Sequence, residues 1–203
     1  MSDLGLFPLG LVLLPTEQIP LHIFEERYKD LIRECLDDDG EFGLVYADES
    51  GIRKIGTRAA VLEVLTRFED GRMNVLIEGK DRFELLELTS GKSFQTGDIV
   101  PIEDVEDLAD ASTVERARAL FDRLREMTAS DVEVPDAGIP QLSYVLAARV
   151  ELAAEAKLEL LAETSEKARL ERVCELLEEA AVAVDRQRRA AERAATNGKV
   201  ELG

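Results

Sequence analysis

Between residues 7 and 28 the chain reads Phe7-Pro8-Leu9, then Val12-Leu13-Leu14-Pro15, then Pro20-Leu21-His22-Ile23-Phe24-Glu25-Glu26-Arg27-Tyr28. Three prolines in this stretch exclude a single helix and an unbroken central strand, because each removes a backbone donor and fixes φ. Residues 4–14 therefore read as a first strand, with an edge at Pro8 and a bend or bulge at Gly10. Residues 19–23 read as a second, short extended piece. From Phe24 the apolar period changes from 2 to 3.6. Phe24, Tyr28, Leu31, Ile32 and Cys35 then share one face of an amphipathic helix. Asp37-Asp38-Asp39-Gly40 ends it, with Gly40 suited to the left-handed C-terminal position.

Downstream, short extended runs alternate with turn residues. Strands are expected at 42–47, 56–68, 73–78, 82–88 and 93–102. Glu69-Asp70-Gly71-Arg72 marks a hairpin whose Asp-Gly pair suits a type I′ turn, and Gly79 reads as a strand break. Seven extended pieces with one inserted helix predict a small, mostly antiparallel barrel or sandwich. Residues 103–110 are acidic and aperiodic, which places a boundary there. The expected class is α+β, with a β domain over 1–108 and an α-helical bundle over 109–203. In the second part, Ser112 and Glu115 suggest a capping box. Pro140 opens a helix reaching Arg149, and residues 150–162 continue helical with a break near 151–155. Thr164 is expected to cap the last helix, in which Leu170, Val173, Cys174, Leu177, Ala181 and Val184 recur at helical spacing until Asn197-Gly198. That seam covers about two heptads, so packing inside a bundle is favoured over a coiled coil.

Charge narrows the partners. The net charge is −18, and both halves share it: residues 1–100 hold 20 acidic and 11 basic side chains, residues 101–203 hold 23 and 14. Neither half is basic and no Lys/Arg cluster is expected to form a stripe, and an acidic surface repels both nucleic acid and anionic membranes. Solubility is the simple reading of the charge. Cys35 and Cys174 could form one disulfide, but two buried reduced thiols are favoured. The N-terminus lacks a basic signal-peptide start, and no apolar run reaches the ~20 residues of a membrane span, so a cytoplasmic location is expected.

Catalytic parts are scarce. His22 is the one histidine, so a two-His metal site is excluded, and a groove-lining or core role is favoured for it. No G-x-S-x-G elbow occurs. Ser143 and Lys157 fall on separate helices with nothing to suggest that they meet. Gly79-Lys80 lacks the upstream glycine of a phosphate loop, where Asn74 stands. The acids at 37–39 are adjacent rather than alternating, which does not suit calcium. No cofactor and no metal are expected. Arg27, Arg58 and Arg82 can bind a carboxylate or the carbonyls of an added peptide. The competing reading for Arg27 is a clamp to Glu25.

With the pattern laid out, the opening stretch resembles the substrate-binding domain of the ATP-dependent Lon protease. The similarity runs on through Gly56-Thr57, Ala59-Ala60-Val61, Asp70-Gly71-Arg72, Val75-Leu76-Ile77-Glu78-Gly79 and Arg82-Phe83, covering residues 5–90. Leu142-Ser143-Tyr144-Val145-Leu146-Ala147-Ala148-Arg149 resembles the helical part that follows in stand-alone bacterial members. The resemblance implies a PUA-like β barrel followed by helices, and a role in recognising or orienting protein substrates. It does not bring the protease's ATPase loop or Ser–Lys dyad, for which these 203 residues show no motif.

The expected function is accordingly a non-catalytic protein- or peptide-binding module. An adaptor delivering clients to a protease in trans, or a scaffold or oligomerisation protein, are the alternatives, and a cryptic hydrolase or an RNA binder the outsiders. The expected partners are unfolded protein or peptide segments. The candidate binding residues are His22, Phe24, Arg27, Tyr28, Arg58, Met73 and Arg82.

Overall fold

The computed structural model describes residues 2–197, with side chains for 3–193. Six strands and five helices follow in order: β1 (Ser2–Leu9), β2 (Gln18–Ile23), α1 (Glu26–Asp38), β3 (Glu41–Asp48), β4 (Gly51–Arg67), β5 (Met73–Thr89), β6 (Thr96–Pro101), α2 (Ala111–Thr128), α3 (Leu142–Ala147), α4 (Ala154–Ala162) and α5 (Glu166–Asn197). The sheet order is β2-β5-β4-β3-β1-β6, and β5 also pairs with β6. Five strands thereby close into a barrel, and β2 lies along residues 73–78 of β5, on the edge that residues 83–89 use to meet β6. Every pairing is antiparallel except β1 with β3. The α+β class holds, with a mostly antiparallel barrel, one inserted helix and helices after it.

Six strands replace the expected seven because Gly79 does not break the chain. β5 runs straight through it. Gly79 is there for closeness: a Cβ would lie 2.1 Å from the Leu14 carbonyl oxygen. The backbone bonds Thr16 N–H to Gly79 O and Gly79 N–H to Glu17 O lock loop 10–17 against β5. That loop corrects the first expected strand, which ends at Leu9. The chain bends at Gly10 and drives Val12, Leu13 and Leu14 inward, at 5%, 1% and 0% exposure. Thr16 holds φ +68, an uncommon state for a β-branched residue.

Turn and cap details differ from expectation by a residue or two. The 68–72 hairpin has positive φ at Gly71 alone, with Gly71 N–H bonded to Phe68 O and Phe68 N–H to Arg72 O. This is the three-residue hairpin with a glycine bulge rather than type I′. Asp39, not Gly40, takes the left-handed position after α1. The α2 cap is Asp110, whose carboxylate accepts from Thr113 N–H at 2.8 Å and from the Ser112 hydroxyl. These two bonds hold its pKa down to about 2. Ser165 rather than Thr164 caps α5, accepting from Ala168 N–H at 3.0 Å. The last strand starts at Thr96, after a turn that runs further than expected. The expected stop at Asn197-Gly198 falls partly outside the described residues.

The core has two main parts. Inside the barrel, Phe7, Leu13, Ile23, Tyr28, Ile32, Phe42, Met73, Val75 and Ile77 pack together under α1. The helical core gathers Phe121, Leu142, Tyr144, Leu160, Leu170 and Cys174, and reaches into the barrel's first loop for Val12 and Leu14. Both cysteines are buried and free.

Candidate functional site

Three regions receive the seven predicted binding residues. The first is an exposed aromatic strip. β2 pairs on one side only, so within the described residues it is the sheet's open edge. His22 faces outward from it and is fixed by Asn74, its cross-strand neighbour, with Nδ1 2.7 Å from Oδ1. Phe24 follows, 59% exposed, its ring stacked on His22 at 5.9 Å and 20°. Phe68, at the end of β4, closes edge-on against His22 at 6.0 Å. The Arg72 guanidinium covers Phe68 at 5.2 Å and is held by Asp70 at 2.7 Å. The hairpin bearing Phe68 and Arg72 is itself anchored: buried Lys29 on α1 donates to the Asp70 carbonyl at 3.2 Å and to Glu26 at 2.8 Å. Phe24 therefore does not seat the helix as its spacing suggested. The helix starts at Glu26, and Phe24 lies in the extended lead-in.

The second region is core. Tyr28 is 6% exposed, with its ring 4.0 Å from Phe7, and burial raises its pKa. Met73 is 2% exposed beneath the strip. Neither offers a face to a partner; they support β2 and α1 from below. Arg27 stays outside, its guanidinium over the Tyr28 ring at 4.5 Å and paired with Glu25 at 2.9 Å. The Glu25 clamp expected for it forms, at the N-terminus of α1.

The third region is the seam between barrel and helices. Arg58 pairs with Glu41 across β3–β4 at 2.7 Å. Arg82, 3% exposed, donates to the carbonyls of Leu161 (2.8 Å) and Glu163 (2.7 Å) and to Asp104. Arg169, with no exposed surface, binds the same carboxylate through both oxygens at 3.0 and 2.6 Å, and also Glu166, the Glu163 carbonyl and the Ser143 hydroxyl. It lies 4.1 Å from the Tyr144 ring centre. Arg58 and Arg82 line a polar cleft of about 210 Å³ with Pro15, Asp81 and Gln141. Arg82's donors are directed into protein carbonyls and a carboxylate, so it joins the halves instead of facing a ligand. Ser143 bonds Glu166, while Lys157 bonds Glu17 and the Val12 carbonyl. The two do not meet.

The strip thus keeps His22 and Phe24 of the expected residues, not Arg27, and gains Phe68 and Arg72, which the sequence pattern did not single out. Their signal was present: an aromatic residue directly flanking an Asp-Gly hairpin has little core to enter. The described residues outside the strip also offer an open groove of about 530 Å³, lined by Thr16, Gln18, Ile139, Val145 and Arg149, at the other end of β2.

Fold and surface together define an α+β module, a closed small barrel with one open strand edge, braced by a helical pack. A family model described as the ATP-dependent protease La (LON) substrate-binding domain matches residues 3–179, and the chain belongs to that family. Lon protease 1 of Hydrogenovibrio crunogenus is 26% identical over 184 residues, covering 82% of this chain and 22% of the relative. The Lon protease of Anaeromyxobacter dehalogenans is 28% identical with the same coverage. The chain therefore spans about a fifth of the length of the curated relatives it matches, and only their N-terminal part is matched. Among solved structures, a Lon N-terminal domain protein from Xanthomonas campestris superposes with a TM-score of 0.68 and 26% identity, over 85% of this chain and 97% of that one. The N-terminal domain of a Mycobacterium avium complex Lon protease gives 0.64 at 14% identity, over 87% and 98%, a likeness of fold alone.

Proposed function

We propose that this chain is a non-catalytic module that recognises unfolded or extended segments of other proteins, and that it does so on the His22–Phe24–Phe68 strip. Membership of a substrate-binding domain family supports substrate recognition in general. The observation that carries the finer reading is the strip itself. Phe24 and Phe68, 59% and 38% exposed, both lie against His22 beside a strand edge that is unpaired among the described residues. An incoming extended segment gains main-chain bonds along β2 and inserts apolar side chains between the rings. Pro20 limits that edge, because it offers no donor; binding therefore leans on the aromatic end of the strand. Delivery of such segments to a protease in trans is the narrower form of the same role.

The test is fluorescence anisotropy with labelled peptides taken from an unfolded protein, comparing the natural chain with Phe24→Ala/Phe68→Ala. Both side chains are surface groups, so circular dichroism should stay unchanged. Saturable binding weakened about tenfold or more is expected, since two aromatic contacts of ~1 kcal/mol each are lost. No saturable binding by the natural chain, or equal binding by the double variant, would sink the assignment.

A further inference from the structure

The exposed side of α5 carries a charge pattern that reads the same from both ends with its sign inverted. Val182, 50% exposed, is its centre. Going towards the N-terminus in steps of four, three and four residues come Glu178, Glu175 and Glu171. Going the other way in the same steps come Arg186, Arg189 and Arg193. All seven are exposed. At 3.6 residues per turn these steps hold the side chains within about 40° of one line along the helix, over roughly 33 Å. The opposite side of α5, with Leu170, Val173, Cys174 and Leu177, is spent on the helical core.

We propose that α5 pairs with α5 of a second copy of this chain, antiparallel, about a two-fold axis at Val182. In that arrangement each residue faces the one equally far beyond Val182. Glu178 meets Arg186, Glu175 meets Arg189 and Glu171 meets Arg193, each twice by symmetry. Parallel pairing in register would instead set Glu on Glu and Arg on Arg. Charge is also what selects a second copy as the occupant. A body of net charge −18 repels itself on most approaches. The segment holding Arg186, Arg188, Arg189 and Arg193 is its densest basic run, and the acidic run that fits it in spacing and sign is its own, one half-stripe away.

The local geometry admits this. Two shallow depressions flank Val182. One, of about 400 Å³, lies between α2 and α5 beside Leu120, Met127 and Ala181. The other, of about 480 Å³, is lined by Glu175, Glu178, Glu179 and Arg186. Glu171 and Arg186 have no ion pair among the described residues. Glu178 already meets Arg116 at 2.8 Å, Glu175 meets Arg172 at 3.0 Å and Arg189 meets Asp185 at 2.8 Å, but all three stripe residues remain half exposed or more. A carboxylate accepts several donors, so a second partner is compatible with the first. Glu179 and Asp185 flank the axis with like charge, and each is offset by its own arginine, Arg172 at 3.6 Å and Arg189. The apolar area at the axis is small, which puts this pairing at the weak, salt-sensitive end of protein association.

Sedimentation velocity on the full chain tests the pairing. A monomer–dimer equilibrium is expected at low salt, weakening about tenfold or more in high salt. Glu175→Arg alone and Arg189→Glu alone should each shift the chain to monomer, and the combined exchange should restore the dimer, because the facing pair is then opposite again. Orientation is read by oxidative cross-linking. Glu175→Cys mixed with Arg189→Cys should cross-link, while Glu175→Cys alone should not. A chain that stays monomeric at low salt overturns the proposal. So does a dimer indifferent to both reversals, or Glu175→Cys cross-linking with itself.

Discussion

Arg169 shows how much one side chain can organise. Its guanidinium reaches Asp104, Glu166, the Glu163 carbonyl and the Ser143 hydroxyl, with no exposed surface. Such a charge is stable in the interior only while its partners surround it, and removal of one partner from a buried network strands the others. Arg169→Met is expected to cost about 3–5 kcal/mol in urea unfolding, and Arg169→Lys nearly as much, since an ammonium cannot span the two Asp104 oxygens. A loss under about 1 kcal/mol would show that the network contributes little. Sequence reading marks arginines as versatile but not their partners. Arg82 is expected to bind a carboxylate or the carbonyls of an added peptide, yet its acceptors belong to this chain, at residues 104, 161 and 163. Phe24 had the right helical spacing, and the helix simply begins two residues later.

At the scale of elements, the legible features were those set by local chemistry. The α1 period, the Asp-Gly hairpin and the long α5 all appear where the pattern put them, give or take a cap residue. What was not legible is the course of loop 10–17. Its apolar residues, Leu11 to Leu14, form one unbroken run that reads as strand, but they are divided between two cores, and the distant Gly79 permits the approach. Gly79 looked like a strand break because glycine weakens strands; here it serves contact with another backbone. Gly79→Ala should therefore cost more than a strand propensity change, about 2–3 kcal/mol by overpacking, with a lower urea midpoint. Ala at Gly91, where nothing lies within 4 Å, tests backbone strain without crowding, because its φ of +136 is the only obstacle. A Gly79→Ala chain as stable as the parent would remove loop docking as the reason for the glycine.

Over the whole molecule, we propose that the division at residue 108 is one of topology rather than of independent stability. Leu13 packs in the barrel core and Leu14, its neighbour, in the helical core. Thr57 donates to the Leu13 carbonyl at 2.6 Å, Lys157 crosses from α4 to Glu17, and Arg82 crosses from β5 to the end of α4 and to Glu163 just beyond it. Neither half can loosen without exposing part of the other, so one cooperative transition is expected. The chain carries its own reporters. Cys35 lies in the barrel core and Cys174 in the helical core, both buried. Burial holds Cys35 up to about 11 and raises Cys174, so both thiols should resist alkylation in the native state at neutral pH. Because folding raises these pKa values, the associated stability is complete below the ordinary thiol value of 9.0 and is lost as pH climbs from there towards 11. Pulsed alkylation across a urea series, read by mass spectrometry, should give the two cysteines the same midpoint, and that shared midpoint should fall as pH is raised above 9. If Cys35 becomes reactive at clearly lower urea than Cys174, or the reverse, the seam of Leu13, Leu14, Arg82 and Arg169 does not couple the halves, and each folds on its own terms.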